Sequence, residues 1–403
     1  MSRHLVSVRK ISGLRPLSIS ESQQSLIPEL QQLSIAEFQP LPGSHLLLAN
    51  VDGWTCAMAQ GTANVGDYIL YFEIDSFLPA GDIRFASLGK SNTLNGSPVM
   101  FKGRYGFHVK SVKLHGTSVS QGLILPLNLF PEVTNVIAKL GKTKEAMQKV
   151  MDMPFEHHLN VQKWKPDHGG PKSKTTENSL GKVPSFFPHT DITRVQKCPN
   201  LFTNKYKDAV YQESVKLDGS AATIYFVCRG TAWCNSLHPL DGRADMPKGR
   251  FGVCSKQCDL PDKPDCLFWK AALYYRLPQK LAALGKNLAI SGELCGASIG
   301  QNREGFAANK HDFFVYRIYD VDARKALDLR ETELRARQLG LKHVPVNGYF
   351  RLHDIAKSHE DLLKRAEGVG IFGHPREGLV YKNVEDGRSF KVISNSYLLR
   401  YGE

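Results

Sequence analysis

Long hydrophobic runs are absent from this sequence of 403 residues: no stretch of 18 or more apolar residues is present that could span a bilayer as a helix. No segment repeats at the periods typical of solenoid proteins, and no secretory signal is recognisable. With 42% hydrophobic and 23% charged residues, the composition is that of a soluble folded protein with two or three domains. We therefore expect an intracellular protein and no membrane partner.

Cysteine is sparse, and its spacing does not fit the common zinc sites. The eight cysteines are spread over a long chain, so we expect reduced thiols rather than a disulfide framework. Cys254, Cys258 and Cys266 lie near one another in the sequence, but no CxxC pair accompanies them. Buried or incidental thiols are the favoured interpretation of this group, and zinc is the alternative.

Acidic residues are in deficit, with 39 Asp and Glu against 52 Lys and Arg and a formal net charge of +13. Residues 1–160 carry +2 of this charge, and residues 161–403 carry +11. The excess favours polyanionic partners such as nucleic acid, although basic solubility alone is an alternative.

The first 20 residues contain no acid, four basic residues and five serines, a composition that matches a transit peptide. However, Val6 and Val8 alternate with Ser7 and Arg9, which is typical of an edge strand with one solvent-facing side. We favour the strand. The protein is then expected in the cytoplasm or nucleus, with mitochondria left open.

Up to about residue 135, short apolar or alternating runs are separated by turn signals, as in a small β-barrel. Such barrels bind single-stranded nucleic acid through a basic groove and aromatic side chains. The candidates are Lys102, Arg104, Tyr105, Phe107, Lys110 and Lys113. The alternative is that the aromatic residues belong to the core. From Val133 to Met153 the apolar spacing is helical, and Gly141 divides the segment into two short helices.

These patterns divide the chain into a barrel with a helical extension (1–160), a linker or mobile loop (161–183) and a second domain (184–403). The linker prediction depends on the polar stretch 168–182, which is rich in Gly, Ser and Lys. The second domain alternates strand-like runs with helix-like runs, and Ser358 is placed to cap the last helix-like run. The sequence therefore predicts an α+β protein.

One tetrapeptide, Lys216-Leu217-Asp218-Gly219, lies between two strand-like runs. A β-hairpin with an Asp-Gly turn accounts for Asp218 and Gly219, but it leaves Lys216 unexplained. Further acids, aromatics and lysines follow on strand-like segments: Glu293, Phe314, Tyr316, Glu377, Lys382 and Lys391. Each of them alone fits an ordinary surface or core side chain, whereas their order and spacing together indicate a common site.

This ordered set resembles the covalent nucleotidyltransferase superfamily of ATP-dependent ligases and mRNA capping enzymes, over about residues 184–393. The segments FFPHTDITRVQ, VCSK, FFVYRIYD and SFKVISNSYLL are similar to those of RNA ligases. The segments VDGWTC, VGDYILYFEIDSFLP and SQGLILPL resemble the N-terminal OB domain of the branch that seals nicks with RNA at the 3′-OH end.

The resemblance implies an OB-like β-barrel followed by an adenylyltransferase domain of antiparallel sheets flanked by helices. DNA ligases and capping enzymes generally place an OB domain after the last of these motifs. Only 12 residues follow Lys391, which favours an RNA ligase.

ATP and Mg²⁺, or Mn²⁺ in its place, are the implied cofactors. Lys216 is implied to be the nucleophile that becomes AMP-lysine. Its amine must be uncharged to attack, so its ordinary pKa of roughly 10.4 must be lowered. Lys256, Lys382 and Lys391 are the implied ATP-binding cations, the last two on the α-phosphate.

Aromatic and acidic residues complete the implied site. Tyr316 and Phe314 are two residues apart on one strand and are implied to stack on adenine. Asp218, Glu293 and Glu377 offer the oxygen ligands that Mg²⁺ prefers and are implied to hold the ion through water. Glu293 alternatively binds the ribose hydroxyls.

By resemblance, the reaction passes through lysyl-AMP and RNA-adenylate to the sealing of 3′-OH and 5′-phosphate ends, as in RNA repair. The implied partners are ATP and RNA, as a nicked duplex or as RNA ends, and a monomer is expected. An ATP-dependent DNA ligase or an mRNA guanylyltransferase is the alternative within the superfamily. A catalytically inactive protein that binds RNA ends is the alternative of another class.

Three positions depart from the pattern of similar RNA ligases. Val215 stands where an acid is often found, and Glu213 is the nearest acid upstream. Lys256 replaces an Arg and cannot form the bidentate fork of Arg on a phosphate. The final motif has Lys391 alone, where some relatives have Lys-x-Lys. These departures concern the two steps that involve RNA more than the first step, the formation of lysyl-AMP.

Overall fold

The computed structural model describes residues 4–17, 46–89, 98–114, 119–164, 179–189, 191–198, 200–203, 206–237 and 244–401. The chain divides into two compact units. The first comprises residues 1–168 together with 398–403, and the second comprises residues 169–397. Both sheets and helices are present, which confirms the predicted α+β class.

Antiparallel strands form the first unit. They are β1 (Val6–Pro16), β2 (Leu46–Val51), β3 (Trp54–Ala59), β4 (Tyr68–Phe72), β5 (Ser76–Pro79), β6 (Val99–Phe101), β7 (Arg104–His108), β8 (Ser111–Lys113), β9 (Val119–Gln121), β10 (Leu123–Pro126) and β11 (Gln162–Lys163). One sheet has the order β10-β4-β1-β2-β3, another has the order β11-β5-β7-β6, and β8 pairs with β9.

The predicted strand at the start of the chain is confirmed, but the predictions that it is an edge strand and that one of its sides faces solvent are wrong. Val6–Lys10 pair with β4 and Ile11–Pro16 pair with β2, so β1 links two parts of the sheet. Ser7 is 2% exposed. It is covered because it lies opposite Tyr71 of β4, which lies opposite Ile124 of β10, and this face of the sheet belongs to a second core cluster.

Two helices follow the barrel strands, as the apolar spacing predicts. α1 (Pro131–Leu140) starts with Pro at its first position and ends at Gly141, whose φ is +86°. α2 (Lys144–Met151) is capped by Thr143, whose side chain accepts the Ala146 N–H at 3.2 Å. The apolar faces of both helices pack into the core of the barrel strands.

The second unit contains two sheets. Its strands are β12 (Gly181–Lys182), β13 (Thr193–Arg194), β14 (Val210–Lys216), β15 (Ser220–Cys228), β16 (Asp245–Met246), β17 (Gly249–Ser255), β18 (Cys258–Leu260), β19 (Leu288–Gly296), β20 (His311–Asp320), β21 (Lys325–Ala326), β22 (Lys342–His343), β23 (Val346–Arg351), β24 (Gly378–Asn383) and β25 (Ser389–Ile393). The larger sheet has the order β12-β18-β17-β15-β19-β20-β21, with β16 beside β17 and β22 beside β20. The smaller sheet has the order β13-β25-β24-β14-β23.

The helices of this part of the chain are α3 (Ala232–Asn235), α4 (Leu267–Tyr274), α5 (Leu277–Leu284), α6 (Leu329–Gln338), α7 (Leu352–Ile355) and α8 (His359–Ala366). α9 (Asn395–Tyr401) begins in the second unit, and its residues from 398 onwards are assigned to the first. Trp269 of α4 shares a core cluster with Ile290 of the larger sheet. Leu362 of α8 shares one with Leu379 of the smaller sheet. In the described part of the chain, no helix is long and apolar enough to cross a membrane.

The predicted cap of α8 is confirmed, because the Ser358 hydroxyl accepts the Asp361 N–H at 3.2 Å. Short strands are present at the two ends of the predicted linker, 161–183. β11 pairs with β5 and β12 pairs with β18, so each end extends a sheet. Residues 165–178, which hold most of the polar stretch, lie outside the described residues.

Candidate active site

The Lys216-Leu217-Asp218-Gly219 segment passes from one sheet of the second unit to the other. β14 ends at Lys216 and pairs with β23 and β24. β15 begins at Ser220 and pairs with β17 and β19. The hairpin interpretation of this segment is therefore wrong, because its two strands belong to different sheets. The crossing places Lys216 and Asp218 where the sheets meet.

Glu377 lies directly against Lys216. The Lys216 Nζ donates to Glu377 Oε2, and the two side chains are 21% and 8% exposed. The register explains the contact, because Lys216 is opposite Gly378 in the ladder of β14 and β24. The sheet thus places a proton acceptor on the amine of the candidate nucleophile.

Three of the predicted lysines share one face of the smaller sheet. Directly opposed residues share a face, and side chains along a strand alternate with period two. By this rule the registers of β14, β24 and β25 put Lys216, Lys382 and Lys391 on the same face. β13 runs parallel to β25 and sets Arg194 beside Lys391. A cationic face therefore adjoins the Lys216–Glu377 pair.

Glu213 does not replace the acid that is missing at position 215. Its carboxylate accepts from Arg365 Nε at 2.5 Å and from the Tyr381 hydroxyl at 2.7 Å. Glu213 is 2% exposed, so its charge is buried with a partner, as a buried carboxylate requires. This carboxylate joins β14, β24 and α8.

Lys382 is held against one of the predicted adenine-stacking residues. Its Nζ donates to the backbone carbonyl of Tyr316 and lies 5.3 Å from the centre of the Tyr316 ring. Burial, and secondarily the charge of Arg317, lowers the pKa of Lys382 to about 8. Phe314 is buried in an apolar cluster with Phe306, and Tyr316 packs on the edge of that cluster. The two predicted aromatics thus border one apolar cluster, with Tyr316 the more exposed.

The predicted carboxylates lie close to the candidate nucleophile. Burial raises the pKa of Glu293 to about 7, against the opposing effect of the Lys216 charge, while Glu377 and Asp218 also raise it. The oxygen donors suit a hard cation such as Mg²⁺ or Mn²⁺. Within the described ranges, no group of three or more His, Cys, Asp or Glu side chains is placed to hold a metal ion directly. That these carboxylates hold an ion through water stays a prediction.

Lys256 pairs with a carboxylate that the sequence did not indicate as functional. Its Nζ lies 2.7 Å from Asp191 Oδ1, and the side chains are 63% and 76% exposed. The hydrogen bond from Lys256, together with the charges of Lys391 and His189, lowers the pKa of Asp191. Asp191 therefore lies near the cationic face. The available signal was its position within the FFPHTDITRVQ segment.

Three further residues contact Asp218, and of these only Tyr397, in the SFKVISNSYLL segment, has a sequence signal. Glu304 Oε1 accepts the Asp218 backbone N–H at 2.8 Å. Arg303 Nε lies 3.7 Å from Asp218 Oδ2, and the Tyr397 hydroxyl donates to the same oxygen at 2.7 Å. These partners are remote from Asp218 in the sequence, so no local pattern could reveal the contacts.

In the first unit, the predicted nucleic-acid residues separate into surface and core. β6 and β7 form a hairpin whose turn residues, Lys102 and Gly103, have φ of 48° and 77°, as in a type I′ turn. The predicted residues that are exposed are Lys102, Arg104, Tyr105, Lys110 and Lys113. Phe107 is corrected, since it is 3% exposed and belongs to the core cluster.

Comparison with protein families gives two matches. Residues 209–393 match the model of the RNA ligase family. The domain belongs to this family. In the same chain, residues 30–127 match an OB-fold domain, which confirms the predicted OB-like barrel before the ligase domain.

Solved structures of Naegleria gruberi RNA ligase are similar to this ligase over nearly its whole length. A lysine-to-alanine mutant with ATP and Mn is 28% identical, has a TM-score of 0.71, and covers 98% of this chain and 99% of that chain. A lysine-to-methionine mutant with AMP and Mn is 28% identical, with a TM-score of 0.71 and 99% of each chain covered. The enzyme with PPi is 28% identical, with a TM-score of 0.70 and 99% of each chain covered. A comparison with curated proteins gives no match. The family match and the structural similarity confirm the predicted enzyme class, RNA ligase.

Proposed function

We propose that this RNA ligase uses ATP and a divalent cation to seal RNA ends that carry a 3′-OH and a 5′-phosphate, at nicks with RNA on the 3′-OH side, in RNA repair. The observation that carries the proposal is the contact of Lys216 with Glu377 beside a face that also holds Lys382 and Lys391. The similar structures contain ATP, AMP and PPi. These molecules are the substrate, the transferred group and the leaving group of lysine adenylylation.

ATP fits this site with its base at the apolar cluster and its phosphates on the cationic face. Tyr316 offers a partly exposed ring beside the buried Phe314, and such a ring stacks on a base. Lys382 and Lys391 supply positive charge for the α-phosphate, which is the main requirement of phosphoryl transfer. Lys256 lies further out, paired with an exposed carboxylate.

Asp218, Glu293 and Glu377 would hold Mg²⁺, or Mn²⁺ in its place, partly through water. When bound, the ion would neutralise charge on the transferring phosphate. The chain itself controls the proton on the nucleophile: the Lys216 ammonium must lose a proton before attack, and the Glu377 oxygen that it contacts is placed to accept it.

In the first step, the lone pair of the Lys216 Nζ forms a bond to the α-phosphorus as the bond to the pyrophosphate oxygen breaks. The products are lysyl-AMP and pyrophosphate. An oxygen of the RNA 5′-phosphate then displaces Lys216 to give RNA-adenylate. Finally, the 3′-OH attacks the 5′-phosphorus and displaces AMP. We expect Lys382 and Lys391 to contact the phosphate of AMP during these steps.

The test is incubation of the purified protein with α-labelled ATP and Mg²⁺, followed by nick sealing. We expect a labelled protein and sealing of nicks that have RNA at the 3′-OH end. An unlabelled protein that still binds RNA would instead support the inactive end-binding protein. Labelling by GTP in preference to ATP would support a guanylyltransferase. Equal sealing of an all-DNA nick would contradict the RNA assignment.

The efficiency of adenylylation is expected to fall above about pH 8. Because burial places the pKa of Lys382 at about 8, this residue is a cation below that pH and increasingly neutral above it. The kcat/KM for ATP in adduct formation reports ionisations of the free enzyme, so it should decrease on the alkaline side. Lys382→Arg should lose this decrease, since a guanidinium stays charged. The control is Lys270→Arg on the exposed face of α4. A wild-type profile that stays level through this range would contradict the role of Lys382.

The β6–β7 hairpin is proposed as an RNA contact, because Lys102 and Arg104 are exposed beside Tyr105, which is 64% exposed. Replacing Lys102 and Arg104 together by Ala should weaken binding of a nicked duplex. The slope of log K for binding against log of the salt concentration should become shallower by about 1.4 to 1.8, as expected for two lost phosphate contacts. Fluorescence anisotropy over a KCl series measures both quantities.

The matched control replaces two exposed lysines of the helical extension, Lys139 and Lys142, by Ala. It removes the same charge at another place. If both double variants weaken RNA binding equally, the hairpin has no specific role and the effect is one of net charge.

A further inference from the structure

Helix α9 is fastened to the part of the chain that carries Glu377. The Ser394 N–H donates to the Glu377 carbonyl at 2.9 Å. Glu367 accepts the Ser394 hydroxyl at 2.9 Å and the Asn395 N–H at 2.7 Å. These bonds fix the start of the helix next to the residue that contacts Lys216.

Tyr397, in the first turn of α9, reaches the other side of the candidate site. Its hydroxyl donates to Asp218 Oδ2 at 2.7 Å, and the residue is 1% exposed. Burial, and also the hydrogen bond to the Asp218 carboxylate, raises the pKa of Tyr397 far above its usual value. Tyr397 is therefore a hydrogen-bond donor throughout the neutral range, as a partner of a carboxylate must be.

Arg303 joins the same group from the loop after β19. Its Nη1 donates to the Tyr397 hydroxyl oxygen at 2.9 Å, and its Nε lies 3.7 Å from Asp218 Oδ2. Its side chain is 17% exposed, so this cation is largely shielded from water. The next residue, Glu304, accepts the Asp218 backbone N–H. Two consecutive loop residues thus hold the side chain and the backbone of Asp218.

We propose that Tyr397 and Arg303 are positioning residues, which hold the Asp218 carboxylate in the orientation that lysine adenylylation requires. The inference rests on the proposed function, since it concerns the same site. Tyr397 lies in α9, just beyond residues 209–393, which match the ligase family. A carboxylate two residues from the nucleophile has several rotamers, and charge-assisted hydrogen bonds select one of them.

The test is Tyr397→Phe, which removes only the hydroxyl oxygen. The rate of lysyl-AMP formation at saturating ATP should fall about 10-fold to 100-fold, the effect expected when a hydrogen bond to a charged group is lost. The KM for ATP should change by less than about twofold, because misplacing a reacting group affects the rate constant and not ground-state binding. The matched control is Tyr274→Phe, because the Tyr274 side chain is 78% exposed. This variant should form lysyl-AMP at the wild-type rate.

Arg303→Ala and the double variant with Tyr397→Phe complete a mutant cycle. If both residues act through Asp218, the double variant loses less than the product of the two single losses. Arg303→Lys keeps the charge and should recover part of the rate that Arg303→Ala loses. A thermal unfolding midpoint near that of the wild type shows that each variant is folded.

Two outcomes would overturn the inference: a Tyr397→Phe rate within twofold of the wild type, or single losses that multiply in the double variant. Either result leaves the proposed function intact as long as the wild type forms the adduct. A wild-type protein that forms no adduct would instead overturn the proposed function.

Discussion

Replacement of Lys216 by Ala or Arg is expected to abolish the labelled AMP adduct. Alanine removes the nucleophilic nitrogen. Arginine keeps a positive charge that can pair with Glu377, but a guanidinium does not lose its proton in proteins and so offers no lone pair. We expect a loss of about 10⁴-fold or more, the order found when an enzyme nucleophile is removed. Labelled protein on a denaturing gel, quantified over time, is the measurement.

The control for this prediction is Lys270→Ala, which changes an exposed lysine of α4 and should label like the wild type. The Lys216→Ala variant should also retain sealing of chemically prepared RNA-adenylate, because the last step forms its bond without the Lys216 nitrogen. Full labelling of Lys216→Ala would show that another lysine is the nucleophile. Lys382 and Lys391 would then be the first to examine, since they share its face of the sheet.

The residue types of the site could be predicted because each one is tied to a short strand pattern. The order and spacing of Lys216, Glu377 and Lys382 indicate a common site, and the resemblance to the nucleotidyltransferase superfamily implies their roles. The registers of β14 and β24 then set Lys216 opposite Gly378, beside Glu377. The sequence contains the residues but not this register, because β24 lies more than 160 positions away and its pairing depends on the whole sheet.

The same limit explains the strand predictions that failed. An Asp-Gly pair between two apolar runs favours a hairpin, yet β14 and β15 each find better partners in separate sheets. At Ser7, local alternation predicts a solvent-facing side, but this face of β1 lies on the core cluster that contains Tyr71 and Ile124. In both cases a tertiary contact overrides the local preference.

The contacts that fix the side chain and the backbone of Asp218 could not be predicted from the sequence. Glu304 and Tyr397 are 86 and 179 positions from Asp218. Tyr397 lies in the SFKVISNSYLL segment, but that segment gives no sign of a contact with Asp218. The role of both residues depends on the path of a loop and on the docking of a short helix, and these follow from packing and not from periodicity. Phe107 shows the reverse case: strand alternation puts it on the same side as the exposed Tyr105, yet only Phe107 reaches the core.

Gly219→Ala is expected to disable adenylylation, although the residue contributes no functional group. A Cβ at this position would lie 2.5 Å from the Leu294 carbonyl oxygen, 2.8 Å from Cys295 Sγ and 2.9 Å from Glu293 Cγ. The Leu294 oxygen belongs to the backbone of β19, so the crossing segment must move instead. A shift of about 1 Å in a catalytic group costs about 100-fold in rate, and Lys216 and Asp218 lie in this segment. We expect that loss in the rate of adduct formation.

The matched control is Gly81→Ala, because a Cβ there has no heavy atom within 4 Å and only the general cost of the substitution remains. Crowding of this kind in a packed site destabilises a protein by about 1–3 kcal/mol, so the unfolding midpoint of Gly219→Ala should also fall below that of the control. The two measurements separate the causes. Gly219→Ala could be less stable and still form the adduct at the wild-type rate. In that case the close packing of the crossing segment on β19 supports the fold and does not set the position of Lys216. If the rate falls 100-fold while most of the protein remains folded, the approach of this segment to Glu293 and Leu294 is what aligns the nucleophile.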